Sequence, residues 1–114
     1  MAVAVARRAH LDEGRLDELR LAVGEACARS VRRCQAVNCS EPIVLTINDS
    51  GPGLSVEVAD AAPSRRDDDE PVVLALLRGL ADAVEVLNGP GGAGGRVRME
   101  WWPTPVRPPR HRAS

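Results

Sequence analysis

"LRLAVGEACARSVRRC", Leu19 to Cys34, is the stretch on which the reading of the fold turns. Together with Leu16 just before it, apolar or small side chains fall at Leu19, Val23, Cys27, Ser30/Val31 and Cys34. That three-to-four rhythm is the buried stripe of an amphipathic α-helix. It places Arg15, Asp17, Glu18, Arg32 and Arg33 on the wet side. Glu25 and Arg29 are one helical turn apart and share a face. Either Glu25 acts on a ligand from that face, or it is a half-buried glutamate paired with Arg29. Asp12 or Gly14, in "HLDEG", caps the start of the helix, and "NCSEP" ends it.

Working outward, the hydrophobic period changes. "PIVLTIND" is β-branched and "GLSVEVAD" alternates, with "NDSGPG" between them as a hairpin signal. "AAPSRRDDDEP" is a polar, charged loop of a length seen in a lid or in a disordered excursion. "VVLALLRGLADAV" is a second helix with a broad apolar face. "AVEVLNG" and "GRVRMEWW" are two further strands joined by "GPGGAGG". Strands are thus predicted near 43–48, 54–59, 83–88 and 95–102. The order helix, strand, strand, helix, strand, strand predicts an α/β two-layer sandwich. Its sheet is mixed or antiparallel and four-stranded, with the helices on one face. Residues 1–102 form this single domain, and 103–114 form a Pro/Arg-rich tail with no periodicity, expected to be disordered. Alternation along the last strand sends one of Trp101 and Trp102 into the core and the other outward as an interface anchor.

Composition removes several function classes. Among 114 residues, Phe and Tyr are absent and Trp101 and Trp102 are the only aromatics, so the core is aliphatic. Every basic side chain except histidine is arginine, which excludes a lysine nucleophile, a Schiff base or a P-loop lysine. A net charge of −1 creates no field that favours nucleic acid. No apolar run reaches membrane-spanning length. Three cysteines without a secretion signal fit a reducing cytoplasm. Cys27, Cys34 and Cys39, even with His10, lack the CxxC spacing of a zinc site and read as core thiols, so no metal ligand set is expected. "GPGGAGG" lacks the strand-to-helix context of a phosphate loop and reads as a hairpin connection.

"LDELRLAVGEACARSV", "LSVEVAD", "VLALLRGLADAVEV" and "GGRVRMEWW", taken in order, resemble the actinobacterial anti-sigma regulatory factors. These are small members of the histidine-kinase-like ATPase superfamily, with the GHKL or Bergerat fold. The resemblance spans about residues 15–102 and is most specific in its first block. It implies an ATP site with three parts. A helix carries a catalytic glutamate and, four residues on, a magnesium-binding asparagine; here these are Glu25 and Arg29. An aspartate at a strand end accepts from the adenine amino group, with glycines after it; here Asp60 matches, followed by Ala61 and Ala62. A Gly-rich lid leads into the second helix; here Val73 stands where the last glycine belongs, behind the acidic run Asp67–Glu70. Arginine offers donors only and cannot ligate Mg²⁺, which takes oxygen ligands. About 4 Å from the metal it would repel a divalent ion by roughly 8 kcal/mol at an effective dielectric near 20, before relaxation. ATP and Mg²⁺ are therefore implied by the resemblance alone, and the altered residues point away from both. The resemblance further implies that the family's first edge strand is missing, with "MAVAVARRA" as the end of a longer first helix, and that the chain forms a homodimer.

The functional expectation is an anti-sigma-factor-like protein acting in transcription control by protein–protein binding and partner switching. Its implied partners are a sigma factor or a STAS-type anti-sigma antagonist. One alternative is enzymatic: a serine kinase of that antagonist, with Glu25 as base. The other is a homo-oligomeric binding protein on a decayed ATPase scaffold.

Overall fold

The computed structural model describes residues 12–51, 53–63, 71–88 and 94–103. The acidic run Asp67–Glu70, His10, "MAVAVARRA" and the tail beyond residue 103 lie outside them.

Helix α1, Glu13–Ala36, starts where Asp12 adopts an extended backbone and its Oδ1 accepts the Arg15 amide at 2.9 Å. An aspartate there satisfies one of the orphan donors of the first turn, and Glu13 suits the helix dipole. Leu16, Leu19, Ala22, Ala26, Ser30 and Cys34 are buried, while Val23 and Cys27 pack at the margin. Alanines on the central turns bring the helix axis close to the sheet. The buried stripe is therefore rotated from the one the apolar spacing predicts. Val31 is exposed, and Arg33, expected on the wet side, is buried. The reason is a partner: Asp60 waits beneath it.

The strands are β1 (Val44–Asn48), β2 (Leu54–Asp60), β3 (Ala83–Asn88) and β4 (Gly95–Trp101), with helix α2 (Pro71–Leu80) between β2 and β3. The sheet order is β1-β2-β4-β3, and all three pairings are antiparallel. The α/β sandwich with a four-stranded sheet is thus present, in its fully antiparallel form. Both chain-adjacent pairs are hairpins. In the first, Asn48 Oδ1 accepts from the Ser50 amide at 2.9 Å and from its hydroxyl at 2.7 Å, which tightens the turn. Gly53 then lies against the end of β4, where a Cβ would stand 2.2 Å from the Trp101 carbonyl oxygen.

Period-2 alternation divides the sheet faces. Leu54, Val56, Val58, Val97, Met99 and Trp101 point to the helices and are buried with Leu74 and Leu77 of α2. Trp101 supplies the one aromatic ring of this core, and its indole N–H donates to the Leu80 carbonyl at 2.9 Å, which satisfies the ring's one donor. The opposite face carries Ser55, Glu57, Arg96, Arg98 and Glu100, with Glu57–Arg96 and Arg98–Glu100 ion pairs at 3.6 and 3.4 Å. At the far end, Asp82 receives the Arg15 guanidinium and also accepts the Trp102 amide at 2.7 Å. That contact ties the start of α1 to the end of β4.

Candidate functional site

Of the residues singled out in the sequence, Glu25 and Arg29 lie on α1, and Asp60 ends β2, the strand packed beneath that helix. Glu25, Arg29 and Arg33 follow one another at single-turn intervals on α1. Glu25 is half-buried; Arg29, 2% exposed, is among the most buried polar side chains described. On this helix face a buried ion pair forms at Arg33.

That pair is Arg33 with Asp60. The Arg33 Nε donates to Asp60 Oδ2 at 3.1 Å and to Oδ1 at 3.3 Å, and Nη2 donates to Oδ1 at 3.3 Å. Nη2 also donates to the Ala62 carbonyl at 2.8 Å, and the Ala62 amide returns a bond to Asp60 Oδ1 at 3.1 Å. Both side chains are nearly sealed from solvent, with 7% and 1% of their surface exposed. Removing two charges from water is costly unless the remaining hydrogen-bonding capacity is satisfied. Here the planar guanidinium fork meets the carboxylate and a main-chain carbonyl together.

The local backbone makes room for this. The two residues after Asp60 turn back through the Asp60–Ala62 bond, an Asx-type turn. Gly95 opens β4 opposite Asp60, and a Cβ there would lie 2.7 Å from Arg33 Nη2. Its neighbour Gly94 has φ +82 and approaches the Asp60 carbonyl. Ala62 is fully buried beneath the pair, and Ala61 is exposed. Val73 packs at the edge of the core as a half-buried side chain of α2.

Other residues separate from this cluster. Trp101 is in the core, at the opposite end of β4, and is unavailable as an interface anchor; Trp102 is 53% exposed. Two grooves of about 270 and 320 Å³ lie on the open face of the sheet, lined by Arg98 and Glu100 among others. Among the described residues no group of His, Cys, Asp and Glu is arranged to hold a metal ion. No helix of the described residues is long and apolar enough to cross a membrane.

Arg33 and Gly95 are the residues of this candidate site that the sequence reading missed. The signal for Arg33 was its position two turns after Glu25 on the same face, together with a buried aspartate needing a cation. For Gly95 no local signal exists, because a glycine-rich hairpin looks the same whether or not a guanidinium lies against it.

Two helices on one side of a four-stranded antiparallel sheet are consistent with the ATPase class the sequence resembles. A profile of the histidine kinase-like ATPase domain matches residues 1–101, and the chain belongs to that family. No match is found among curated proteins or among solved structures.

Proposed function

We propose that this chain is a regulatory, protein-binding member of its family in which the nucleotide function has been lost. In this reading it acts as an anti-sigma-factor-like protein in a partner-switching circuit. The observation that carries it is the Arg33–Asp60 contact. The carboxylate that the family resemblance assigns to the adenine amino group already accepts from an internal guanidinium and from the Ala62 amide. Arg29 stands where a magnesium-binding asparagine is implied, and buried Ala62 carries a Cβ where the backbone would need to approach a base closely. With no metal and no adenine acceptor, regulation works by steric occlusion: one partner covers the surface that the other needs. The partners are a sigma factor or a STAS-type antagonist.

Titration calorimetry with ATP, with and without Mg²⁺, tests the first half. No heat of binding is expected in either case. Binding strengthened by Mg²⁺ would favour the kinase reading, with Glu25 as base. Binding indifferent to Mg²⁺ and lost in Arg29→Ala would mean that a guanidinium replaces the metal at the phosphates. The second half is tested by mixing the chain with purified sigma factors and STAS-type proteins from its source cell and sizing the products. One complex, displaced by the second partner without added nucleotide, is the expected result.

A second reading has its own support. On α2, Val72, Ala75, Leu76 and Gly79 are all exposed and lie at i, i+3, i+4 and i+7. This is a second apolar face on a helix whose other face is already buried, and it suits a homodimer contact.

A further inference from the structure

The end of α1 brings two thiols together. Asn38 has φ 54, the left-handed conformation that an asparagine tolerates after a helix. Its amide donates to the Gln35 carbonyl at 3.3 Å, and the Cys39 amide donates to the Cys34 carbonyl at 2.8 Å. These two bonds define a Schellman cap, in which the last residue of the motif leans on the side chain five positions earlier. Here both of those residues are cysteines. Given standard backbone dimensions, the 2.8 Å bond holds their Cα atoms within about 6.7 Å, inside the span of a disulfide. Both thiols are free, and the cap holds their backbones side by side. Cys34 is buried, with the Ala61 amide and Asp60 beside it, while Cys39 is half-exposed. Cys27 sits two turns earlier, against the core.

We propose that Cys34 and Cys39 form a dithiol site that small-molecule disulfides of the glutathione type convert reversibly into an intrachain disulfide beside the Arg33–Asp60 contact. The half-exposed Cys39 thiolate attacks one sulfur of the small disulfide, forming a mixed disulfide and expelling one thiolate. The Cys34 thiolate then attacks the Cys39 sulfur, closes the intrachain bond and expels the second thiolate. Two protein thiols and one small disulfide thus become one protein disulfide and two small thiols. The protein is oxidised and the small disulfide reduced. The new bond closes the last turn of α1 covalently, so Arg33 cannot fray away from Asp60.

The full chain, folded, is incubated with oxidised glutathione, alkylated with iodoacetamide and digested with trypsin. Cleavage at arginine leaves Cys34 and Cys39 together in the peptide from Cys34 to Arg65, apart from Cys27. The expected result is loss of two hydrogen masses from that peptide, alkylation of Cys27 alone, and full reversal by dithiothreitol. In the bridged form the amides of the last α1 turn should exchange more slowly. Cys39→Ser, a mild change at a half-exposed site, should abolish the bridge and leave Cys34 open to alkylation once the chain is unfolded. The proposal is overturned if the folded chain keeps all three thiols, if a glutathione adduct persists on Cys39 without closure, or if a bridge includes Cys27. It is also overturned if the chain unfolded in guanidinium forms the same bridge as selectively, because the cap would then contribute nothing.

Discussion

Arg33 and Asp60 illustrate how a buried charge is tolerated only in company. Arg33→Ala leaves a carboxylate sealed in the protein with its cation gone, and Asp60→Ala does the reverse. Each single change is expected to cost about 3–5 kcal/mol, whereas Arg33→Met with Asp60→Leu should recover most of the loss. Urea unfolding of the three variants measures this, and a double mutant no better than the singles would contradict it. Cys34 offers a second residue-scale test. Burial pushes its thiol above the ordinary value, and the neighbouring Cys39 thiol adds to the effect. Burial also raises Cys27. The unfolded chain therefore gives up these protons first. Their contribution to stability is complete below the unfolded thiol pKa, about 8.5, and is lost as pH rises through the folded value. Denaturation midpoints should fall above that pH in the wild type and fall less in Cys34→Ala.

At the scale of elements, the β1–β2 hairpin depends on a close backbone approach as well as on its turn residues. The β1–β2 turn lies against the carbonyl of Trp101 at Gly53, where a Cβ would meet the oxygen at 2.2 Å. A backbone atom cannot move aside as a flexible side chain can. Gly53→Ala is expected to destabilise by about 1–3 kcal/mol through overpacking, read as a lowered melting midpoint. Gly51→Ala, with open space around it, serves as the control and should change little. Helix α2 presents a different balance. Leu74 and Leu77 anchor it, but Val72 is 81% exposed and Leu76 39% exposed, so part of its apolar surface stays uncovered within the described residues.

For the whole molecule, the uncovered face of α2 and the charged face of the sheet are the two candidate surfaces for the proposed dimer. The sheet face places Arg96 and Arg98 among Glu57, Glu85 and Glu100, so its charges largely neutralise one another and exposed pairs of this kind contribute little. The α2 face has no such charges and a stronger reason to be covered. Dimerisation through α2 is expected, and Leu76→Glu should shift the chain to monomer in sedimentation velocity at micromolar concentration while leaving its circular dichroism unchanged. A dimer that survives Leu76→Glu but dissociates in high salt would instead implicate the sheet face.

The hydrophobic period by itself determined the element order, the four strands to within a residue or so, the two-layer architecture, and that one of Trp101 and Trp102 faces inward and the other outward. Period is a local property, and one buried face per element follows from it. The resemblance that begins in "LRLAVGEACARSV" led to the right superfamily. Only the tertiary structure decided that Arg33 faces inward and Arg29 is sealed. An arginine looks wet in any periodicity count until a carboxylate 27 positions away supplies the charge that makes its burial tolerable. The role of Gly95 was likewise invisible, since it depends on a guanidinium arriving from another element. The pairing of Cys34 with Cys39 required a left-handed Asn38, a backbone choice that asparagine permits but does not compel.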